Sequence, residues 1–369
     1  MALNQSKSQV DNKPDAVVIT RFSALGDVAL VIPAVYDLCM TYPRLNVVFV
    51  TRKRMEPLAV NPPHNLIVEG IDLSLYSGVG GMIKLGKELL NKYNIKCFVD
   101  LHDVLRTKIL RNYMKFKGIK ASVIDKGRKE KQKLVRKGAE AYFAQGNEPL
   151  RTTVQRYRDT INQAGFSVPS LFKSLRKTSP LESGNTKRIG IAPFAAHQGK
   201  IYPLDRMEEV VNKLAADSAN QLFLFGGGQK ESDILERWAH GKPNVINMAS
   251  RNQGLAKELD VMTTLHVMIA MDSANMHLAA LAGVPRIVTI WGATHPAAGF
   301  APFCSDPEPH SESSATKTNT TPQIICIETP MTCRPCSVYG NRPCRHGDYR
   351  CMTSISPQTV IDSVVNKQH

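Results

Sequence analysis

Residues 16–35 read AVVITRFSALGDVALVIPAV, and this stretch decides the fold. Ala16–Thr20 is a short apolar run rich in β-branched residues, which is typical of a buried strand. The glycine-containing turn Ser23–Asp27 follows it, and apolar residues then recur with helical spacing from Leu30 to Leu38. A strand, a turn and a helix in this order predict the opening of a doubly wound α/β domain.

The same alternation continues through the first part of the chain. Four further apolar runs are predicted to be strands: Val47–Thr51, Leu66–Val68, Cys97–Leu101 and Ala121–Ile124. A basic amphipathic helix is predicted from Val104 to Lys117.

A second series begins after the Pro- and Ser-rich stretch Val168–Asn185, which we interpret as a weakly structured interdomain linker. Its predicted strands are Ile189–Ala192, Gln221–Phe225, Val245–Ile246, His266–Met271 and Val288–Trp291, the last of which is expected to close the set. Its predicted helices are Asp205–Ala216, Lys230–Ala239, Gly254–Thr264, one beginning near Asn275, and Ser356–Asn366.

Two βα series predict an α/β protein of two Rossmann-like domains whose parallel sheets face each other across a cleft. We expect an N-terminal domain over residues 1–175, a C-terminal domain over 186–355 and a terminal helix and tail over 356–369. Ser305–Thr321 is polar and rich in Ser, Thr and Pro, which predicts a mobile surface loop.

The composition indicates a soluble protein. Of 369 residues, 43% are hydrophobic and 21% are charged, as is ordinary for globular proteins. The polar N-terminus lacks the apolar core of a secretory signal. The longest apolar stretches, such as Val28–Val35, are about half of the roughly 20 residues that span a bilayer. We therefore expect a cytoplasmic location.

The positive charge is concentrated in one part of the chain. Between Val104 and Lys137, 13 Lys and Arg residues stand against Asp125 and Glu130, so this stretch carries 13 − 2 = +11 of the net charge of +15. Such a patch indicates a polyanionic partner, which could be nucleic acid, anionic lipid or a phosphorylated glycan. A solvated, solubilising face is the alternative.

Three segments carry residues suited to chemistry on a phosphorylated ligand. Asp27 lies at the start of the first helix, near the carboxyl edge of the first strand, although a helix-capping Asp would occupy the same position. Lys200 follows a strand in a short loop. Asp272–His277 opens a helix whose free N–H groups suit an anion. Together, Lys200 and this helix could hold a pyrophosphate without a metal.

These segments resemble a known family. Arg21–Val28, Lys200 before Tyr202-Pro203, Asp272–Ala280 and Gly292–Pro296 are similar in order and spacing to the family 9 glycosyltransferases. This family comprises the lipopolysaccharide heptosyltransferases and their relatives. The late cysteine cluster also fits the pattern.

The resemblance implies a GT-B fold and an inverting, metal-independent transfer from a nucleotide-sugar. ADP-heptose is the expected co-substrate, and no cofactor is expected. Asp27 matches the general base that takes the acceptor's proton, and Lys200 matches the phosphate-binding lysine. The remaining positions implied to contact the donor are Asp272, Ser273, Ala274 and His277 for pyrophosphate and sugar, Glu231 for the ribose and Met248 for the base. Ala195 and Ala196 depart from the family, which often has hydroxyl residues shortly before the lysine.

The family's acceptor is the phosphorylated inner core of a membrane-bound glycolipid. This implies that Arg106, Lys108 and Arg111 contact its anionic groups, while other lysines dock on the anionic inner membrane. Ser23, Gly26 and His102 are also placed on the acceptor side, although His102 could equally be structural.

Four of the eight cysteines, Cys333, Cys336, Cys344 and Cys351, follow the spacing C-x2-C-x7-C-x6-C. Such thiols could bind a structural zinc ion, but reduced packing thiols are favoured, and no catalytic metal is predicted.

Three other classes of function are alternatives to a glycosyltransferase. A nicotinamide dehydrogenase would show the Gly-x-Gly-x-x-Gly turn, which is missing after the first strand. A nucleic-acid partner is not predicted, because the basic stretch has few aromatic residues and shows no recognised module. A catalytically degenerate glycosyltransferase-like binding protein remains an alternative.

Overall fold

A computed structural model describes residues 13–176, 186–251, 253–304 and 322–365. Two parallel sheets organise these residues into an N-terminal and a C-terminal half. The predicted loop Ser305–Thr321 and the second part of the predicted linker, residues 177–185, lie outside the described ranges. Among the helices of these ranges, none is both long and apolar enough to cross a bilayer.

The N-terminal half is a five-stranded sheet in the order β3-β2-β1-β4-β5. Its strands are β1 (Asp15–Thr20), β2 (Asn46–Arg52), β3 (Leu66–Ile71), β4 (Asn94–Asp100) and β5 (Lys120–Val123). Its helices are α1 (Leu25–Ala29), α2 (Val31–Thr41), α3 (Gly78–Lys92), α4 (Leu105–Phe116), α5 (Arg128–Lys137), α6 (Ala139–Phe143) and α7 (Thr153–Gln163). Short 3₁₀ turns occupy Lys53–Leu58 and Leu73–Tyr76.

The C-terminal half is a six-stranded sheet in the order β11-β10-β9-β6-β7-β8. Its strands are β6 (Lys187–Ala192), β7 (Asn220–Leu224), β8 (Val245–Asn247), β9 (Val267–Met271), β10 (Arg286–Trp291) and β11 (Gln323–Glu328). Its helices are α8 (Leu204–Ala215), α9 (Gln229–Ala239), α10 (Gly254–Met262), α11 (Ala274–Ala282), α12 (Arg350–Thr353) and α13 (Pro357–Val365). Further 3₁₀ turns occupy Gln198–Lys200 and Pro296–Ala298.

The central strands are apolar because helices cover both faces of each sheet. Every residue of β9 is buried, and so is all of β1 after Asp15. A strand buried on both faces has no polar alternation, which is why the sequence shows continuous apolar runs here. The predicted α/β class with two parallel sheets is confirmed.

The structure differs from the sequence prediction at three places. Strand β11 pairs with β10 at the sheet edge, so Val288–Trp291 does not close the set. The first predicted helix is divided into α1 and α2, because Pro33 has no N–H to donate to the carbonyl of Ala29. The first part of the predicted linker is firmly packed rather than weakly structured, since Phe172 is buried and Leu175 N donates to Leu281 O at 2.8 Å.

The two halves share one hydrophobic core. Helices α1, α2 and α7 of the N-terminal half contribute to the same buried cluster as α10 and α11 of the C-terminal half. Helix α1 packs directly on α11. The carboxyl edges of the two central strands are therefore held close together.

Candidate active site

The strand orders create a crevice in each half. The chain winds in opposite directions from β1 and β4 in one sheet, and from β6 and β9 in the other. Ligands of doubly wound sheets bind at such switch points, outside the carboxyl ends of the strands. Asp27 and His102 follow β1 and β4, whereas Lys200 and Asp272 follow β6 and β9.

A cavity of about 430 Å³ lies where the two crevices meet. Gly26 and Asp27 line it from the N-terminal half. From the C-terminal half it is lined by six of the predicted donor residues: Lys200, Glu231, Asp272, Ser273, Ala274 and His277. The structure thus brings the predicted base and the predicted pyrophosphate site to one cavity.

Asp27 lies in the first turn of α1 and is held by its neighbours. Its Oδ2 pairs with Arg21 Nη2 at 2.6 Å and accepts the Ala24 N–H at 3.3 Å. Arg21 is itself fixed, because its Nη1 donates to Leu101 O at 2.7 Å. The Asp27 carboxylate remains about one-third exposed. It is therefore oriented by Arg21 but still accessible from the cavity.

His102 lies beside the same turn, buried at the end of β4. Its Nδ1 accepts the Phe22 N–H at 3.4 Å, and its Nε2 lies 3.5 Å from Ser23 Oγ. Burial, assisted by the nearby Arg21, lowers the pKa of His102 to about 3. A neutral ring that accepts at Nδ1 carries its proton on Nε2, so His102 can donate to Ser23 and fix the start of the turn that leads to Asp27.

The N-terminus of α11 presents polar atoms to the cavity that none of the described residues satisfies. Ser273 is the N-cap of α11, yet its side chain makes no capping hydrogen bond. Its Oγ and the Nδ1 of His277 are both buried and without a partner. Burial lowers the pKa of His277 to about 4, so the ring is neutral at physiological pH. Unpaired buried polar atoms are costly, which indicates that a ligand satisfies these two.

Lys200 and Asp272 form an ion pair in the C-terminal wall of the cavity, next to the N-terminus of α11. Lys200 Nζ lies 2.8 Å from Asp272 Oδ2, which also accepts from Thr294 Oγ1 at 2.7 Å. Glu231 lies farther along the same wall, where its Oε2 accepts the Gly227 N–H at 2.7 Å. Backbone donors at α11 and the Lys200 ammonium thus provide fixed positive potential for a diphosphate.

Gly26 allows the two halves to approach. A Cβ at this position would lie 2.9 Å from His277 Cδ2 and 3.2 Å from Ala274 Cα. These distances are shorter than normal carbon–carbon contacts. The absence of a side chain at Gly26 therefore sets the spacing between α1 and α11, and hence between Asp27 and the donor side of the cavity.

Six predicted site residues do not line this cavity. Two of them, Ser23 and His102, contact each other next to the turn that precedes Asp27. Met248 is buried in the shared core and does not line it. Arg111 is paired with Asp100 at 2.5 Å and Asp103 at 3.3 Å, and Lys108 Nζ lies 3.8 Å from Asp103. Arg111 and Lys108 therefore pair with carboxylates of the same chain. Arg106 lines a separate groove.

Three aromatic residues of the cavity wall were not identified from the sequence: Phe194, Phe300 and Tyr339. Phe300 and Tyr339 contact each other, with ring centroids 5.8 Å apart. Lys131, from the basic stretch, lies behind Phe300 with its Nζ 4.1 Å from the ring centroid. Burial and the neighbouring Arg156 lower the pKa of Lys131 to about 8. This lysine therefore packs between the halves rather than contributing to an open basic face.

The cysteine-containing segment closes one side of the site. Buried Arg334 fixes it to the end of β10, donating from Nε to Gly292 O at 2.5 Å and from Nη2 to Thr294 O at 3.1 Å. Gly340 in turn contacts the Lys200 side chain. Cys333, Cys336, Cys344 and Cys351 are free thiols. In the described ranges no group of three or more His, Cys, Asp or Glu side chains could hold a metal ion, so the zinc alternative gains no support.

Two Rossmann-like halves that meet at one cavity are the arrangement of a GT-B glycosyltransferase. The family model for glycosyltransferase family 9 (heptosyltransferase) matches residues 82–321. The chain therefore belongs to glycosyltransferase family 9, as the sequence resemblance predicted.

Solved structures share this fold across nearly the whole chain. E. coli heptosyltransferase WaaC with ADP is 15% identical with a TM-score of 0.63, covering 96% of this chain and 100% of that one. A glycosyl transferase family 9 protein from Veillonella parvula DSM 2008 is 17% identical with a TM-score of 0.66, covering 95% and 96%. E. coli ADP-heptose lps heptosyltransferase II is 17% identical with a TM-score of 0.63, covering 95% and 97%. A search of curated proteins returned no match.

Proposed function

We propose that this glycosyltransferase moves a heptose, or a related sugar, from ADP-heptose or another nucleotide-sugar to a lipopolysaccharide or lipooligosaccharide core acceptor. The transfer inverts the anomeric centre and needs no metal ion. The observation that carries the proposal is the cavity in which Asp27 faces Lys200 and the N-terminus of α11. The structures of WaaC with ADP and with ADP-2-deoxy-2-fluoro heptose support the choice of donor.

The donor diphosphate binds at the C-terminal wall. The buried Ser273 Oγ and His277 Nδ1 lack partners among the described residues and gain them from the donor's oxygens. Lys200 is already held near this point by Asp272. Because Asp272 is anionic, it suits a sugar hydroxyl better than a phosphate, and its charge is balanced by Lys200.

The chemistry is a single displacement at the anomeric carbon. An acceptor hydroxyl attacks while the bond from the anomeric carbon to the diphosphate oxygen breaks, through an oxocarbenium-like state. Asp27 takes the hydroxyl proton, which contributes about 10²–10⁴ in rate. The leaving diphosphate gains negative charge, which Lys200 and the α11 N–H groups stabilise without a metal.

The acceptor enters from the N-terminal half. Asp27 is fixed by Arg21 and lines the cavity, and the contact between Ser23 and His102 lies at the start of the same turn. Because the base and the donor site belong to different halves, their separation is set by the packing of α1 on α11. We infer that the protein works in the cytoplasm, at the inner face of the cytoplasmic membrane, where a glycolipid acceptor would be presented.

Ligand-induced stabilisation tests the donor assignment. Thermal unfolding is measured with ADP, ADP-heptose, UDP, GDP and NAD at matched concentrations. A ligand at 100 times its Kd stabilises the native state by about 2.7 kcal/mol. We expect ADP and ADP-heptose to stabilise the protein and NAD to leave it unchanged.

A transfer assay tests the reaction itself. ADP release is followed with ADP-heptose and a delipidated, phosphorylated core acceptor, with and without a chelator. Turnover that survives the chelator agrees with the proposal. Stabilisation by UDP or GDP instead of ADP would assign the donor to another nucleotide-sugar. Stabilisation by NAD alone, or turnover that needs added divalent metal, contradicts the proposal.

A further inference from the structure

The turn that carries Tyr339 is fixed against the C-terminal side of the cavity. Gly340 N donates to the buried Ser337 Oγ at 2.7 Å, which closes the turn around Tyr339. Gly340 also lies against Lys200, since a Cβ on this glycine would be 2.7 Å from Lys200 Cγ. Tyr339 is therefore held next to the lysine to which the proposed function assigns the donor diphosphate.

Phe300 supports the ring of Tyr339. The two ring centroids are 5.8 Å apart, with an angle of 50° between the ring planes. The ammonium group of Lys131 lies 4.1 Å from the centroid of Phe300, and this lysine is only 4% exposed. Because Lys131 belongs to α5 of the N-terminal half, Phe300 is held from both halves. We call Phe300 and Tyr339 the aromatic wall.

The aromatic wall leaves one ring open to the cavity. Tyr339 lines the cavity and is 48% exposed. Covering an exposed ring is favourable, because apolar area is removed from water. Ligand pockets are commonly lined by such aromatic side chains, with polar groups that fix the orientation of the ligand. The Tyr339 ring is thus available to a ligand that also reaches Lys200.

The chemistry of the ring limits which part of a nucleotide-sugar can cover it. The face of an aromatic ring is electronegative and its edge is electropositive. A diphosphate is anionic and would be repelled by that face. A pyranose ring, in contrast, presents several C–H groups on one side, and these groups pack favourably on an aromatic face. The sugar that is attached to the diphosphate is therefore the better occupant.

We propose that the aromatic wall binds the transferred sugar, with the Tyr339 ring against its C–H groups. Tyr339 thereby favours the nucleotide-sugar over the free nucleotide. This inference rests on the proposed function, which places the diphosphate at Lys200 and the N-terminus of α11.

Titration calorimetry with ADP and with ADP-heptose tests the inference. ADP lacks the transferred sugar, so the ratio of the two Kd values isolates the contribution of that sugar. Tyr339→Leu should weaken the binding of ADP-heptose about 3- to 10-fold, as expected for the loss of one aromatic contact. The affinity for ADP should stay unchanged.

Two variants serve as controls. Tyr339→Phe keeps the ring and should keep both affinities of the wild type. Phe116→Leu removes a ring that is 82% exposed at the end of α4, and it should change neither affinity. All variants should keep wild-type thermal unfolding without ligand, because both substituted side chains are largely exposed.

Fluorescence of Tyr339→Trp gives a second measurement. The native tryptophans, Trp238 and Trp291, are both buried, so a change in emission reports mainly the new indole. ADP-heptose should change this emission more than ADP does. Equal changes with the two ligands would contradict the inference.

The outcomes separate this inference from the proposed function. Unchanged ADP-heptose affinity in Tyr339→Leu overturns the inference, and so does an equal loss for ADP, which would place the nucleotide on the wall. Failure of the donor assignment appears in the wild type instead, as binding of UDP and UDP-glucose in place of ADP and ADP-heptose. The same comparison of Tyr339→Leu with the wild type, made with UDP and UDP-glucose, then tests the wall.

Discussion

Gly26→Ala tests whether the spacing of the two halves sets the activity. The added methyl group would lie 2.9 Å from His277 Cδ2 and 3.2 Å from Ala274 Cα. Carbon atoms pack at about 3.5–4.0 Å, so α1 and α11 must separate by about 0.5 Å. The Cα of Ala274 belongs to the helix backbone and cannot rotate away, so the strain falls on the packing between the halves.

Two effects should follow from this separation. Overpacking of this kind costs about 1–3 kcal/mol of unfolding free energy. A misplacement of about 1 Å can cost about 100-fold in rate, so half of that shift should lower kcat/KM about 10-fold. Urea unfolding measures the first effect, and ADP release with a soluble acceptor measures the second.

Gly80→Ala is the matched control. Gly80 also lies in a helix, but a Cβ there would meet nothing within 4 Å. It should stabilise the protein by about 0.5–1 kcal/mol and leave turnover unchanged. Wild-type stability and kcat/KM in Gly26→Ala would refute the claim that this contact sets the geometry of the site.

Three further predictions concern single side chains. Lys200→Met should weaken ADP binding about 10- to 100-fold by titration calorimetry, because a charge-assisted bond to the diphosphate is lost. His277→Gln should reduce the loss of unfolding free energy that accompanies a fall in pH below 6.5. The pKa of His277 is 6.5 unfolded and about 4 folded, so its neutral form contributes stability above pH 6.5 that is lost as the pH falls toward 4. That contribution is about 3 kcal/mol, and urea unfolding at several pH values measures it. Arg334→Leu should lower the unfolding free energy by about 3–5 kcal/mol, because the buried guanidinium bonds to backbone carbonyls are lost and Glu328 keeps only its longer contact with His295.

Two of these predictions have a matched control variant, and each of the three has a contradicting result. Lys213→Met removes an exposed lysine that pairs with Glu209 on α8 and should not affect ADP binding. Arg350→Leu breaks an exposed pair with Asp348 and should cost less than about 1 kcal/mol. Unchanged ADP affinity, an unchanged acid slope, or equal losses for Arg334→Leu and Arg350→Leu would contradict the respective predictions.

The strands were predictable because buried parallel strands carry a direct sequence signal. Strands such as β1 and β9 are apolar throughout, since helices cover both of their faces. Strand β11 is not identified from the sequence because it is a short, half-exposed edge strand that follows a long polar stretch. Its apolar run, Ile324–Ile327, has only four residues, and periodicity alone does not distinguish so short a run from other structure.

The candidate site was predictable where residues follow strand ends. Parallel strands bring their carboxyl ends to one edge, so Asp27 and Asp272 could be placed near the cleft from the sequence. Contacts between distant segments carry no such signal. The pairing of Arg111 with Asp100 and the packing of Lys131 under Phe300 removed two cations from the apparent basic patch.

The aromatic wall could not be predicted for the same reason. Phe300 and Tyr339 come from separate loops, and neither loop shows a periodic pattern. Tyr339 lies inside the cysteine-containing segment, where the spacing of the thiols carries no information about an aromatic contact.

The proposed mechanism depends most on a carboxylate of one half that deprotonates the acceptor next to a donor held by the other half. Asp27→Asn tests this directly, because asparagine keeps the size of the side chain and can still accept from Arg21. The measurement pairs ADP affinity by calorimetry with single-turnover transfer from ADP-heptose to a soluble acceptor. We expect unchanged ADP affinity and a rate lowered about 10²–10⁴-fold. A variant that transfers sugar at the wild-type rate would remove Asp27 from the mechanism and contradict the account.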